Sequence, residues 1–180
     1  MKDWNAVVTV YDKDGYRLAK RLMSRFGRID STDYFNVLVM KVPDVDDFTR
    51  EIFELFEQTP GFLNEISRVV PAHATIEFQS PQEFNEKASA VLRDWSERLA
   101  GKSFYIRLHR RGFKGRIASP DAERTLDDSV LERLRELDCP GRIDFEDPDF
   151  VIDIEMVGNR AGFSIWSRQE LNRFDFLHVD

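Results

Sequence analysis

The chain has 180 residues, 42% of them hydrophobic, with fifteen Phe and a single cysteine, Cys139, so it can form one large domain or two small ones around a real core. A lone cysteine excludes an internal disulfide and a Cys-based zinc site, and no apolar run nears the roughly 20 residues that cross a bilayer. The net charge of -7 argues against indiscriminate binding to nucleic acid, and the start, Met1 to Trp4, lacks the apolar core of a secretory signal, so a cytoplasmic protein without a membrane partner is expected.

Val7 to Val10 reads as a strand. Leu18, Leu22 and Phe26, flanked by Ala19 and Met23, give the 3.6-residue period of an amphipathic helix closed by Gly27. Asn36 to Val42 is a near-continuous apolar strand, with the Arg28 to Thr32 region as a candidate hairpin partner. Asp44 is placed to cap a second helix, whose Phe48, Ile52, Leu55 and Phe56 share a face and which ends before Pro60 and Gly61. A strand around Glu65 to Val70, with Ala74 to Phe78 as its possible continuation, closes the order strand, helix, one or two strands, helix, strand. That is the split β-α-β order of ferredoxin-like folds.

Ser80, Pro81 and Glu83 form a capping box with proline at the first helical position, and Phe84, Ala88, Val91, Leu92, Trp95 and Leu99 continue one helical face up to Gly101. Phe104, Ile106 and Leu108 then alternate with Tyr105, Arg107 and His109, a strand whose two faces differ in polarity. Gly112 to Arg116 is a loop. Ser119 and Pro120 cap the next helix, with Leu126, Val130, Leu134 and Leu137 inward. Phe150, Ile152, Ile154 and Met156 alternate with Val151, Asp153, Glu155 and Val157, and a turn through Gly158 to Gly162 returns the chain as Phe163 to Ser167. The expected fold class is α+β, with a ferredoxin-like domain over residues 1–75 and a second α/β domain over 76–180.

Charge is unevenly distributed. Residues 102–120 carry Lys102, Arg107, Arg110, Arg111, Lys114 and Arg116 and no acid, whereas residues 121–155 hold thirteen acids against four arginines. Such segregation makes either a focused anion site or two mutually neutralising surfaces.

The basic segment Lys102 to Arg116 (KSFYIRLHRRGFKGR), the helix after it, Asp144 to Asp149 (DFEDPD) and Val157 to Gly162 (VGNRAG) together resemble the THUMP domain. The resemblance is greatest to stand-alone members similar to the adaptor of tRNA cytidine acetylation. Arg68 to Pro71 (RVVP) is similar to the companion domain that precedes THUMP domains. The resemblance implies binding of RNA, at the acceptor end of tRNA, and presentation of it to a separate tRNA-modifying enzyme. The sequence leaves no room for a methyltransferase or pyrophosphatase domain, so a non-catalytic role is expected, and DNA is not an expected partner.

Tyr105, Arg107, His109 and Arg111 share one side of their strand, where cations and rings suit phosphates and unstacked bases. Arg107 can equally pair with Asp153 or Glu155 on a neighbouring strand. Arg110 belongs to the same basic run. Lys114 and Arg116 flank Gly115 in a loop whose amides can approach a phosphate closely. Asn159 and Arg160 suit a tight turn, and Arg160 is the candidate outermost member of the patch. His109 has no second histidine nearby to make a metal site. Asp144, Glu146, Asp147 and Asp149 lack EF-hand spacing and read as a loop, with Asp147 before Pro148 starting a turn. Cys139, before Pro140, reads as a small residue at a helix end. No phosphate-loop, dinucleotide, nucleophile-elbow or zinc-protease motif occurs, so no catalytic residue, cofactor or metal is expected.

Two other function classes remain open on the sequence. One is an RNA-directed enzyme whose carboxylates and arginines assemble only in three dimensions. The other is a ferredoxin-like regulatory or scaffold module that binds a small anion or a protein.

Overall fold

The computed structural model describes residues 2–59, 61, 64 and 66–177. They divide into two compact units, residues 2–73 with 173–177, and residues 74–172. No described helix is long and apolar enough to cross a membrane.

The first unit runs β1 (Ala6–Val10), α1 (Lys13–Met23), β2 (Arg28–Ser31), β3 (Val37–Lys41), α2 (Val45–Gln58) and β4 (Ile66–Pro71). Its sheet has the order β2-β3-β1-β4, and every pairing is antiparallel. Helix α2 starts where the sequence places it, with the Asp44 carboxylate accepting from the Asp47 amide at 2.8 Å, and it buries Phe48 and Ile52. Pro60 and Glu65, named in the sequence reading, lie outside the described residues. Gly27 does not act as a left-handed helix cap: its φ is not positive, and a Cβ there would lie 2.3 Å from the Lys41 carbonyl oxygen. Close approach of two backbones demands the glycine. A feature missed in the sequence is the return of the chain's end to this unit, where Phe174 stacks on Phe53 with ring centroids 3.8 Å apart and Phe176 packs against Phe56.

The second unit contains β5 (Ala74–Glu77), α3 (Pro81–Asp94), a short 3-10 turn (Ser96–Leu99), β6 (Ser103–Arg111), α4 (Ser119–Glu136), β7 (Arg142–Ile143), β8 (Phe150–Val157), β9 (Arg160–Ser167) and α5 (Arg168–Arg173). The sheet order is β5-β9-β8-β6-β7. Strand β6 pairs in parallel with β7 and β8. The other pairings are antiparallel. Strand β5 therefore does not extend β4, the continuation the apolar pattern suggested; it lies on β9, with Ala74 opposite Phe163. Alternation puts Phe104, Ile106, Ile152, Ile154, Phe163 and Ile165 on one face of the sheet, in a core shared with Phe84, Ala88, Leu126, Val130 and Leu134 of α3 and α4. Such a face, apolar at every second residue under two amphipathic helices, is the layer that makes the unit fold.

Two helix boundaries differ from expectation. Ser119 is already helical; Ala118 holds the cap position and supplies no side-chain hydrogen bond. Leu137 is not inward but 39% exposed, because α4 ends at Glu136 and Leu137 is its C-cap. At α3 Ser80 Oγ accepts from the Glu83 amide at 3.1 Å, while the Glu83 carboxylate reaches back one residue beyond the cap, to the Gln79 amide at 2.7 Å.

Strand β6 has a problem at one edge. Strand β7 covers it only at Ser103 and Phe104, which leaves later amides needing acceptors. Helix α4 supplies them: Glu123 Oε1 accepts from the Leu108 amide at 2.7 Å, and the Asp127 carboxylate accepts from the Ile106 amide. Asp127 is only 7% exposed, and among the described residues its Oδ1 has no hydrogen-bond partner. Burial pushes its pKa up to about 7, assisted by Glu123 and Asp128 and opposed by the Ile106 hydrogen bond. A carboxyl raised above its unfolded value binds a proton more tightly in the folded state, so its contribution to stability is greatest at low pH. That contribution is lost as pH rises from about 4 through about 7. Asp127→Asn keeps an acceptor for the amide without the charge. It should exceed the wild type in stability at pH 8 by about 2–4 kcal/mol, and the gap should close toward pH 5. Urea titrations of both proteins from pH 5 to 8 check this; a gap independent of pH is the contrary result.

Candidate nucleic-acid interface

The second face of the sheet is built from alternate residues of β6 and β8. Parallel pairing sets Tyr105 opposite Val151, Arg107 opposite Asp153, and His109 opposite Glu155. The alternation matches the sequence pattern, but the face is not open surface. Tyr105 is 7% exposed, Asp153 and Ser164 are fully buried, and Glu155 is nearly so. Arg107, His109, Arg110 and Arg111 are half-buried. The Arg111 guanidinium hydrogen-bonds to the Glu155 carboxylate, while His109 Nε2 lies 3.7 Å from Asp153 Oδ1. Arg107 extends over the Tyr105 ring, 5.6 Å from its centroid. A buried carboxylate needs such a partner, since charge taken out of water is costly unless it is compensated.

His109, Asp153 and Glu155 each offer a possible metal ligand, all within 4.8 Å of one another. The Arg111 guanidinium already pairs with Glu155, and its charge would oppose a cation bound at that carboxylate. The arrangement is better suited to an internal ion network. The sequence contained half of this signal, in the matched polar residues of two strands; the register that joins His109 to both acids was not legible there.

The loop after β6 differs. Gly112, Phe113 and Gly115 all have positive φ, at 120°, 50° and 75°. The Phe113 ring anchors the loop against Phe78, 5.1 Å between centroids, and the Phe113 carbonyl accepts from the amides of Arg116 and Ile117 at 2.9 and 3.0 Å. Arg110 donates to the Gly112 carbonyl. With its middle held in this way, the loop exposes Lys114, Gly115 and Arg116. A Cβ on Gly115 would meet nothing within 4 Å, so the glycine serves the left-handed backbone and leaves its surroundings open. The Arg116 guanidinium lies 4.7 Å from the Phe113 centroid. Beside it is a shallow pocket of about 170 Å³ formed with Pro81, Asn85 and Asp121 among others.

Arg160 is not presented outward from its turn. Its side chain is 14% exposed and pairs with Glu77 at 3.0 Å, and it donates to Thr75 Oγ1 at 2.8 Å, which fastens β9 to the edge strand β5. One exposed residue escaped the sequence reading. Phe145, within the acidic segment, is 69% exposed and leans on Tyr105 with centroids 5.4 Å apart.

Residues 78–165 match the family model for the THUMP domain. The match covers just under half of the chain. No curated protein matches the sequence. Among solved structures the fold is similar to PH1313 from Pyrococcus horikoshii Ot3, at 14% identity and a TM-score of 0.57 over 92% of this chain and 55% of that one. It is similar to TrmN from Thermus thermophilus, at 15% identity and 0.57 over 91% and 45%. A 4-thiouridine synthetase solved as an RNA complex with bound ATP is similar at 12% identity and 0.56, over 92% and 42%. The chain spans about half the length of these proteins, and at such identity the likeness concerns fold alone.

Arg111 is thus committed to an ion pair inside the sheet, whereas Lys114 and Arg116 stand exposed in the loop. Arg111→Met should remove about 3 kcal/mol of stability by leaving Glu155 buried without its guanidinium. Lys114→Met should stay within about 0.5 kcal/mol of the wild type. Denaturant unfolding of the two variants separates them, and equal effects would contradict the division.

Proposed function

We propose that this chain is a non-catalytic RNA-binding protein that engages the acceptor end of tRNA through its THUMP domain and presents it to a separate modifying enzyme, with cytidine acetylation as the modification. The observation that carries the RNA reading is the Gly112–Arg116 loop, where exposed Lys114 and Arg116 flank open backbone within the THUMP match. Phosphate oxygens are bound by such combinations of long cations and accessible amides. One of the similar folds is solved with RNA, which supports the same class of ligand. The acceptor end, the separate enzyme and the acetylation rest on the resemblance of residues 102–116, 144–149 and 157–162 to stand-alone THUMP adaptors.

The first unit fits the role of the companion domain. Its β-α-β-β-α-β order with strand order β2-β3-β1-β4 supports reading it as a ferredoxin-like domain, for which a split β-α-β arrangement is expected. The net charge of -7 confines attraction for a polyanion to the few places where cations stand exposed, and that favours one docking geometry over general adhesion. A cytoplasmic location accords with this reading.

Binding should therefore be electrostatic but modest in its salt response. With about three phosphates contacted, log K should fall against log salt with a slope between about -2 and -3. The double variant Lys114→Ala, Arg116→Ala should bind more weakly with a shallower slope, whereas Lys2→Ala should change neither. tRNA with its single-stranded 3′ end intact should bind better than the same tRNA trimmed of that end. Anisotropy titrations at several salt concentrations measure all three. Equal affinity for trimmed tRNA would remove the acceptor end from the proposal, and an unaffected double variant would move the site elsewhere.

A further inference from the structure

We infer that Phe145 is a stacking contact for an unpaired nucleobase, at the opposite end of β6 from the Gly112–Arg116 loop. The inference rests on the RNA-binding reading and adds a second point of engagement to it. Among the described residues of the THUMP unit, Phe145 is the most exposed large apolar side chain, at 69% against 39% for Leu137. The loop holding it is braced. Asp144 Oδ1 accepts from the amides of Glu146 and Asp147 at 3.1 and 3.0 Å, and these bonds hold its carboxyl below the usual range. Arg168 straps the following turn, with Nε 2.8 Å from an Asp147 carboxylate oxygen and donations to the carbonyls of Asp147 at 2.7 Å and Pro148 at 3.1 Å. Asp149 closes the loop on Ser103, accepting from its amide at 2.9 Å and its hydroxyl at 3.1 Å.

A side chain presented from so many hydrogen bonds is not exposed through slack in the chain. Its ring leans on Tyr105 at a tilt of 41° and remains open to solvent elsewhere. Arg107 lies over the same Tyr105 ring and Arg142 is exposed one residue before Ile143. Asp147 and Asp149 are paired with Arg168, whereas Asp144 and the exposed Glu146 keep their charge, so the contact is with the face of a base and its phosphate lies on the side of the arginines. A base needs only an aromatic face with cations near its phosphate. A protein contact of comparable energy would need a surrounding ring of occluding neighbours, and Phe145 is bordered in sequence by Asp144, Glu146 and Asp147 instead. From Tyr105 to Arg111 the strand rises about 20 Å, a span of a few unstacked nucleotides.

The test is binding of a short single-stranded RNA carrying 2-aminopurine, with a blunt duplex as control. Phe145→Ala and Phe145→Leu should each weaken single-strand binding by about 5- to 100-fold and abolish quenching of the reporter, with the salt slope unchanged. Phe145→Trp should retain wild-type affinity and quenching. Duplex binding should be indifferent to all three. Wild-type affinity in the Ala and Leu variants, with Lys114 and Arg116 still governing the salt response, would overturn the stacking role alone and leave Phe145 as a contact for protein. Absence of RNA binding by the wild type at low salt would overturn the RNA reading and this inference with it. Restoration of affinity by Leu would reduce the contact to apolar burial and likewise overturn a stacking role.

Discussion

Strands β6 and β8 pair in parallel with Arg107 opposite Asp153 and His109 opposite Glu155, and that register determines what each residue of the basic segment is able to do. One face of β6 belongs to the apolar core through Phe104, Ile106 and Leu108. On the other face Asp153 and Glu155 are buried carboxyl groups, and polar or charged partners must stand beside them for the sheet to form at acceptable cost. Arg111 is held to that task at Glu155, and the His109 ring stands beside Asp153. The exposed Lys114, Arg116 and Phe145 lie where the strand stops constraining the chain, in the loop that follows Arg111 and in the loop that packs on Tyr105. A rigid strand with functional groups at its two ends is a common division of labour, because loops can present side chains and amides that a paired strand must keep to itself.

The outer edge of β6 shows the same economy of groups. Two carboxylates four residues apart on α4, Glu123 and Asp127, replace a missing strand by accepting from the Leu108 and Ile106 amides. The substitution covers an edge that would otherwise invite pairing with another chain. It also places charge where solvent is scarce, which is why Asp127 titrates near neutrality. The helix is thereby tied to the strand by polar as well as apolar contacts, and the loop at 112–116, which joins the two, has both of its ends fixed.

Much of this was legible in the sequence because it is periodic or local. Period-two alternation located β6, β8 and β9, and the capping residues Asp44 and Ser80 marked two helix starts that the structure keeps. The misreadings are of a different kind. Ser119 looked like a cap because Ser before Pro favours one, but the helix begins a residue earlier and Ala118 takes the position. Leu137 fits the helical period, yet the period says nothing about where the helix stops. Arg160 pairs with Glu77, 83 positions away, and Arg111 with Glu155, 44 away; no local pattern encodes partners at such separation. Phe145 was overlooked because a single aromatic among acids has no periodicity at all, and only its exposure against Tyr105 distinguishes it.

The segregation of charge along the chain acquires a physical meaning once these partners are known. Thirteen acids follow six cations in sequence, and several of those acids serve internal needs: Glu155 meets Arg111 and Asp153 faces His109, Asp144 meets the amides of its own loop, and Asp149 meets Ser103. The acidic stretch is therefore not a repulsive tail set beside a basic one. Part of it is the structural complement of β6, through Glu123, Asp127, Asp149, Asp153 and Glu155, and Lys114 and Arg116 stand exposed where the strand ends. An exposed pair of cations on an otherwise acidic protein attracts a polyanion only over about a Debye length, near 8 Å at physiological salt. On the proposed RNA-binding reading, only RNA already close to the loop is drawn in, so geometry governs selection more than bulk charge does.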